Sequence, residues 1–294
     1  MVDFLGIGAQ KGGTTWLFHQ LSKHPQIEFP AGKEFHFWNR ADPSLVDHWF
    51  SVLEPASRYT ADGRPVRTGE ITPAYSIIDV EAITSLQAKS PDIRLFIVLR
   101  NPMERAWSAA MMNLARVHLL SKDIPDQWFL DHLKAPASWK RGAYTSCIER
   151  WWSVFPREQL LILFYDDIKT SPSQVLTSLA RHIRIDEAYF ATLSSEELAT
   201  VVVPDIKADY EYKIQQGTPP RPSLIPLLCE LYAPEIESLS SLLGRNFSPW
   251  IDEFLNGSRH KSVPRIEVST MGSGRELVRR LTKEKNQKPT STLP

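Results

Sequence analysis

An apolar run, Phe4-Leu5-Gly6-Ile7-Gly8, opens without a spacer into Ala9-Gln10-Lys11-Gly12-Gly13-Thr14-Thr15 and then into the helical pattern Trp16-Leu17-Phe18-His19-Gln20-Leu21. The order is strand, glycine loop, helix. Glycines let backbone N–H groups converge without Cβ obstruction, and a helix N-terminus adds partial positive charge, so this loop suits a phosphate or similar oxyanion. A Walker A loop reads G-x-x-x-x-G-K-[ST]. Gly8 and Gly13 have that separation, but Thr14 stands at the lysine position and Lys11 lies in mid-loop. Nor is there a G-x-G-x-x-G fingerprint, because Lys11 occupies its last glycine position. The loop therefore reads as an anion cradle, but not one for the β/γ-phosphates and Mg²⁺ of ATP. A plain tight turn at a helix start is the bland alternative for such a loop in isolation.

Strands and helices continue to alternate. Short strands are expected at 26–30, 66–72 and 159–164, and the clearest at 94–99, where Arg94-Leu95-Phe96-Ile97-Val98-Leu99 has the continuous apolar character of a strand buried on both faces. Helices are expected at 43–53, 79–89, 102–119, 142–155, 172–184 and 222–232. Asn101-Pro102 supplies an N-cap followed by proline at the first helical position. Residues 198–222, with their prolines, read as an excursion. This alternation predicts an α/β fold: a P-loop-like, doubly wound parallel sheet flanked by helices, in a single domain over 1–256, with ligands at the C-terminal strand ends. A basic segment, 257–294, follows, with nine Lys/Arg against three Glu and a tail expected to be disordered.

Composition narrows the function classes. A chain of 294 residues, 42% hydrophobic with nine tryptophans, can bury a sizeable core. Thirty-four basic against thirty-four acidic side chains leave zero net charge, which argues against a nucleic-acid partner or an anionic membrane surface and makes any anion site local. Cys147 and Cys229 form no CxxC or metal-ligand spacing, so free buried thiols in a reducing compartment are expected, with no metal site. The first strand begins a few residues after Met1, and no window approaches the roughly 18 apolar residues of a membrane span. A cytoplasmic enzyme without signal peptide or transmembrane segment is expected.

A second motif, Leu99-Arg100-Asn101-Pro102-Met103-Glu104-Arg105-Ala106-Trp107-Ser108, ends the strongest strand. Arg100 at the strand end and Ser108 two turns into the helix suit a second anion. A ligand with two separated phosphate-like groups would span both clamps. Together these segments resemble the PAPS-dependent sulfotransferases: Gln10 to Leu17 looks like their 5′-phosphosulfate loop, and Leu99 to Ser108 like their 3′-phosphate segment. Similar stretches are Lys33-Glu34-Phe35-His36-Phe37-Trp38, Gly69-Glu70-Ile71-Thr72-Pro73-Ala74-Tyr75, Arg141-Gly142-Ala143-Tyr144 with Glu149-Arg150-Trp151, and Leu242-Leu243-Gly244-Arg245-Asn246-Phe247. The likeness is nearer to the heparan-sulfate type, or to bacterial carbohydrate and small-molecule enzymes, than to the branch acting on phenols and steroids.

The resemblance implies 3′-phosphoadenosine 5′-phosphosulfate (PAPS) as donor and its desulfated product PAP, with no metal. It assigns Gly12, Gly13, Thr14, Thr15 and Trp16 to the 5′-phosphosulfate, and Arg100 and Ser108 to the 3′-phosphate. Lys11 would hold the bridging oxygen, where preorganised charge is worth about 3 kcal/mol in the barrier. An acceptor hydroxyl, less readily an amine, must lose a proton as it attacks sulfur. Glu34 is the first choice of base, with His36 the competitor and Lys33 contacting the sulfonate or tuning the carboxylate. Tyr144 is a candidate for the nucleotide pocket, and Arg259 and Lys261 for a loop closing over the donor. The acceptor is expected to be a carbohydrate, glycolipid or small molecule. A P-loop-type kinase would require a lysine at Thr14, and a non-catalytic nucleotide-binding protein would not require Lys11 and Glu34 together.

Overall fold

The computed structural model describes residues 2–40, 45–199 and 218–257. Within the α/β domain these residues gather into two compact units, one made of residues up to 100 with 146–199 and the other of 101–145 with 218–257.

The first unit holds the sheet. Its strands are β1 (Phe4–Gly8), β2 (Ile27–Glu28), β3 (Arg67–Ile71), β4 (Arg94–Leu99) and β5 (Leu160–Phe164), in the order β2-β3-β1-β4-β5. Every pairing is parallel. Residue type explains the placement: all five β1 residues are buried and five of six in β4, so these strands occupy the middle, whereas β2 is two residues long and sits at an edge. From β1 the chain builds first to one side, through β2 and β3, and then to the other, through β4 and β5. The reversal falls at β1, so the loops leaving β3, β1 and β4 share the C-terminal rim where such folds bind ligands.

Helices Thr14–Leu21 and Pro172–Ile183 pack on this sheet through Leu17, Leu21, Leu176, Leu179 and Ile183, against Phe4, Ile71 and Phe96. Fully burying each such side chain stabilises the fold by about 1.5–3 kcal/mol. Buried His24 ties β2 to the far end of the unit: its Nδ1 accepts from the Gln26 N–H at 3.1 Å and its Nε2 lies 2.9 Å from the Asp186 carbonyl. Those partners select the neutral Nε2–H tautomer, and burial lowers its pKa in the same sense.

In the second unit, Asn101 caps helix Pro102–Arg116 by accepting from the Met103 N–H at 3.1 Å, while its amide donates to the Trp250 carbonyl at 2.6 Å. Trp107, Ala110, Met111 and Leu114 on that helix pack with Phe129 and Leu224. Arg105 is fully buried and donates to the Ser138 carbonyl at 2.9 Å.

Several boundaries differ from the sequence reading. The helix expected over 102–119 stops at Arg116, because Val117 leaves helical geometry and His118 takes a φ of 56°. The helix expected over 142–155 spans Tyr144–Trp152, since the Gly142 and Ala143 N–H groups both bond the Trp139 carbonyl and close the preceding turn. The helix expected to end at residue 232 runs over Ile225–Leu243 and passes through Pro234. Its buried positions Leu228, Tyr232, Ile236 and Leu239 continue at helical spacing across the proline, so packing outweighs the one lost hydrogen bond. The expected excursion and basic tail fall largely on 200–217 and 258–294, outside the described residues. Cys147 and Cys229 are buried free thiols, and burial pushes the Cys229 thiol up to about 12. Among the described residues no helix is long and apolar enough to cross a membrane.

Candidate active site

The loop between β1 and helix Thr14–Leu21 is shaped by contacts that leave no room for side chains. The Ala9 N–H donates to the Val98 carbonyl at 3.0 Å and the Gly12 N–H to the Ala9 carbonyl at 2.9 Å. A Cβ on Gly12 would stand 2.6 Å from the Val98 oxygen and 3.0 Å from that of Ala9, so only glycine fits. Gly13 takes a φ of 95°, and Lys11 is left-handed at 68°. No side chain caps the helix that follows and no acidic residue lies in its first turn, which leaves the N–H groups of that turn available to an anion. Thr14 is buried and Thr15 exposed. Trp16 turns inward and donates from its indole to the Leu198 carbonyl at 2.7 Å, so its side chain anchors the helix.

At the end of β4, one strand from β1, the Arg100 guanidinium donates to the Lys11 carbonyl at 3.3 Å and lies 4.5 Å from the centroid of the Tyr165 ring. The same ring underlies the glycine loop, 3.1 Å from where a Gly13 Cβ would be, and carries Lys169 4.7 Å from its centroid. One aromatic ring thus supports both the cradle and the arginine; cation–π contacts of this kind are worth about 0.5–2 kcal/mol. No role in the site was assigned to Tyr165 from the sequence. The signal lay in its position directly after β5, as Arg100 lies directly after β4.

On the other side of β1, Lys33, Glu34 and His36 come together. Lys33 Nζ pairs with Glu34 Oε1, His36 Nε2 lies 3.5 Å from Glu34 Oε2, and His36 Nδ1 is 3.2 Å from Asn39 Oδ1. Glu34 remains 38% exposed, enough for its carboxylate to meet an incoming molecule. Glu34 and His36 both have a φ of 66°. The Glu34 N–H is held by the Ile71 carbonyl at 3.2 Å, which places this loop one strand from the cradle.

Beneath that loop sits Glu70, with no exposed surface. Trp49 Nε1 and the Tyr75 hydroxyl each donate to Oε1 at 2.8 Å, the Thr72 hydroxyl donates to Oε2 at 2.7 Å, and the Phe35 backbone N–H donates as well. Burial raises the Glu70 pKa against the pull of these donors, and burial together with the Glu70 charge raises that of Tyr75. Glu70 was visible in the sequence only as part of a motif, with no role attached.

Ser108 is half-buried on helix Pro102–Arg116 of the second unit, and the Tyr144 ring there is 1% exposed, which leaves it no free face for a base to stack on. Arg259 and Lys261 lie outside the described residues. Trp38, Trp49, Trp107 and Trp151 are buried, as packing residues would be. Among the described residues no three His, Cys, Asp or Glu side chains are grouped to hold a metal ion.

Comparison with known proteins agrees with this arrangement. A family model described as the sulfotransferase domain matches residues 2–200. The chain is 32% identical over 176 residues to human heparan sulfate glucosamine 3-O-sulfotransferase 3B1, covering 57% of this chain and 42% of that protein. It is equally identical, over the same length, to human heparan sulfate glucosamine 3-O-sulfotransferase 3A1, covering 40% of it. The chain thus spans less than half the length of these curated relatives. A sulfotransferase structure from Alicyclobacillus acidocaldarius superposes with a TM-score of 0.59 at 22% identity, over 85% of this chain and 98% of that one, a likeness of fold.

Proposed function

This chain belongs to the sulfotransferase family, and from that premise we propose that it moves the sulfuryl group of PAPS to a hydroxyl by in-line displacement. The observation that carries the reading is the glycine loop with its open helix N-terminus, its lysine at position 11 instead of 14, and Arg100 bonded to the Lys11 carbonyl. A donor with fixed anions at both ends of its ribose suits two such clamps. The amides of Gly13 and Thr14, with the Thr14 and Thr15 hydroxyls, would hold the 5′-phosphate; the Gly12 N–H, which the sequence also assigned to it, is spent on the Ala9 carbonyl and shapes the loop. Arg100 with Ser108 would hold the 3′-phosphate. Lys11 would meet the bridging oxygen as negative charge grows there.

Glu34 is the base in this reading. It sits between Lys33 and His36 with its carboxylate reaching solvent, and its charged form can accept the acceptor's proton as the new S–O bond forms. Lys33 is placed to steady the sulfonate oxygens, and His36, bonded at its other nitrogen to Asn39, to orient the carboxylate. The relatives named above act, by their names, on a glucosamine of heparan sulfate, which supports a carbohydrate hydroxyl as acceptor class. Zero net charge gives no hint of the broad basic cleft that a long polyanion would favour, so a short saccharide, glycolipid or small molecule is the form proposed.

The test is incubation of the full chain with PAPS and a panel of amino sugars, short heparan oligosaccharides, glycolipids and phenols, followed by mass spectrometry. The expected result is the gain of one sulfuryl mass on a hydroxyl-bearing sugar. Phosphate transfer from Mg-ATP, or tight PAPS binding with no transfer to any acceptor, would contradict it.

A further inference from the structure

Glu70 is the one Asp or Glu among the described residues that is fully buried, and the transfer chemistry makes no use of it. An ionised carboxylate withdrawn from water costs several kcal/mol unless it is fully bonded, and an apolar residue of the same shape often folds as well or better. Its four donors, Trp49, Thr72, Tyr75 and the Phe35 N–H, are all neutral. Stability alone therefore gives no reason for a carboxylate at this point.

The loop above it gives one. Glu34 and His36 are both left-handed, a conformation that costs about 1–2 kcal/mol per non-glycine residue and persists only where neighbours over-determine it. Three backbone N–H groups supply that constraint. Glu34 donates to the Ile71 carbonyl, Phe35 donates to Glu70, and Trp38 donates at 3.3 Å to the Tyr75 hydroxyl, whose own proton goes to Glu70. Two of the three lines end on one carboxylate. Trp49 and Thr72 occupy its remaining lone pairs and fix its plane.

We propose that Glu70 is a positioning residue for the base: it locks the strained Glu34-Phe35-His36 turn from below so that the Glu34 carboxylate is held ready. The inference rests on the reading of Glu34 as base. The glycine loop draws its hydrogen bonds from Val98 and Ala9 and none from Glu70, so donor binding is independent of this lock.

The experiment compares the full wild-type chain with Glu34→Gln, Glu70→Ala, Glu70→Gln and Tyr75→Phe. It follows the release of sulfate from PAPS with water as acceptor, amide hydrogen exchange at residues 33–38, and calorimetric affinity for 3′,5′-adenosine bisphosphate. Glu70→Ala is expected to slow turnover on the order of tenfold or more, as a misplaced catalytic group does, and to speed exchange at Phe35 and Trp38 with bisphosphate affinity within about twofold of wild type. Glu70→Gln, which keeps the shape and accepts at one oxygen, recovers most of the rate; Tyr75→Phe exposes Trp38 alone to faster exchange. Unchanged exchange at Phe35 and Trp38 overturns the proposal, as does a fall in bisphosphate affinity matching the fall in rate. If Glu70→Ala does not fold, Tyr75→Phe still reads the Trp38 arm of the lock, where unchanged exchange together with unchanged turnover overturns the proposal. Wild-type turnover in Glu34→Gln would instead remove the base assignment, a failure the exchange data keep separate.

Discussion

Lys11, Glu34 and His36 are three of the five non-glycine residues with positive φ among the described residues, and all three are the groups on which transfer chemistry would depend. Strain of this kind gathers where a side chain must be aimed and the surroundings hold it. Lys11→Ala is expected to lower turnover about a hundredfold, the kinetic equivalent of about 3 kcal/mol, with sulfate release from PAPS as the readout. Glu34→Gln should abolish transfer and leave calorimetric donor affinity nearly unchanged; the same outcome from His36→Ala alone would move the base to the histidine. Glu70 makes a stability prediction. Its carboxyl is raised above the ordinary 4.5 chiefly by burial, so the fold favours the protonated form, and its contribution is present below that value and lost as pH climbs through the raised one. Glu70→Gln cannot ionise, so its melting temperature relative to wild type should rise as pH climbs above 4.5, the ordinary value from which burial raises the Glu70 carboxyl. A difference flat with pH would contradict this.

At the scale of elements, the loop after β1 depends on glycine for reasons of space. Gly12→Ala would drive a methyl into the Val98 carbonyl, displacing the cradle at a cost of about 1–3 kcal/mol. Both thermal stability and bisphosphate affinity should fall, and a variant with wild-type affinity would show that the loop is more yielding than its contacts indicate. This element was legible in the sequence because glycines, strand and helix abut without a spacer. β4 was read to the residue, since Arg94-Leu95-Phe96-Ile97-Val98-Leu99 is short, continuous, apolar and rich in β-formers, and Asn101-Pro102 ends it. Helix Ile225–Leu243 is longer than expected because proline is a local signal, while the apolar face that carries the helix past Pro234 packs against helices distant in sequence, Pro102–Arg116 and Asp126–Lys134. Glu70 and Tyr165 had no role legible for a related reason: Thr72 and Tyr75 share Glu70's own motif, but its other two donors, Phe35 and Trp49, come from distant segments, and a ring beneath a glycine loop leaves no mark in local pattern.

Across the whole molecule, zero net charge means that attraction for an anionic donor comes from local geometry and not from a long-range field. The two clamps leave neighbouring strands, β1 and β4, and are joined by the Arg100 to Lys11 hydrogen bond. The sequence placed both at strand ends, yet only the strand order β2-β3-β1-β4-β5 shows that the cradle lies between the Glu34 loop and Arg100. In the proposed function these clamps take one adenosine carrying phosphate at both its 3′ and 5′ positions. The most direct test is calorimetry of the full chain with 3′,5′-adenosine bisphosphate and with 5′-AMP, in wild type and in Arg100→Ala, without metal. The bisphosphate should bind wild type more tightly by a factor on the order of a hundred, the worth of a charge-assisted phosphate contact, and Arg100→Ala should erase most of that preference while hardly changing 5′-AMP. Equal affinity for the two nucleotides in wild type, or equal weakening of both by Arg100→Ala, would contradict the account.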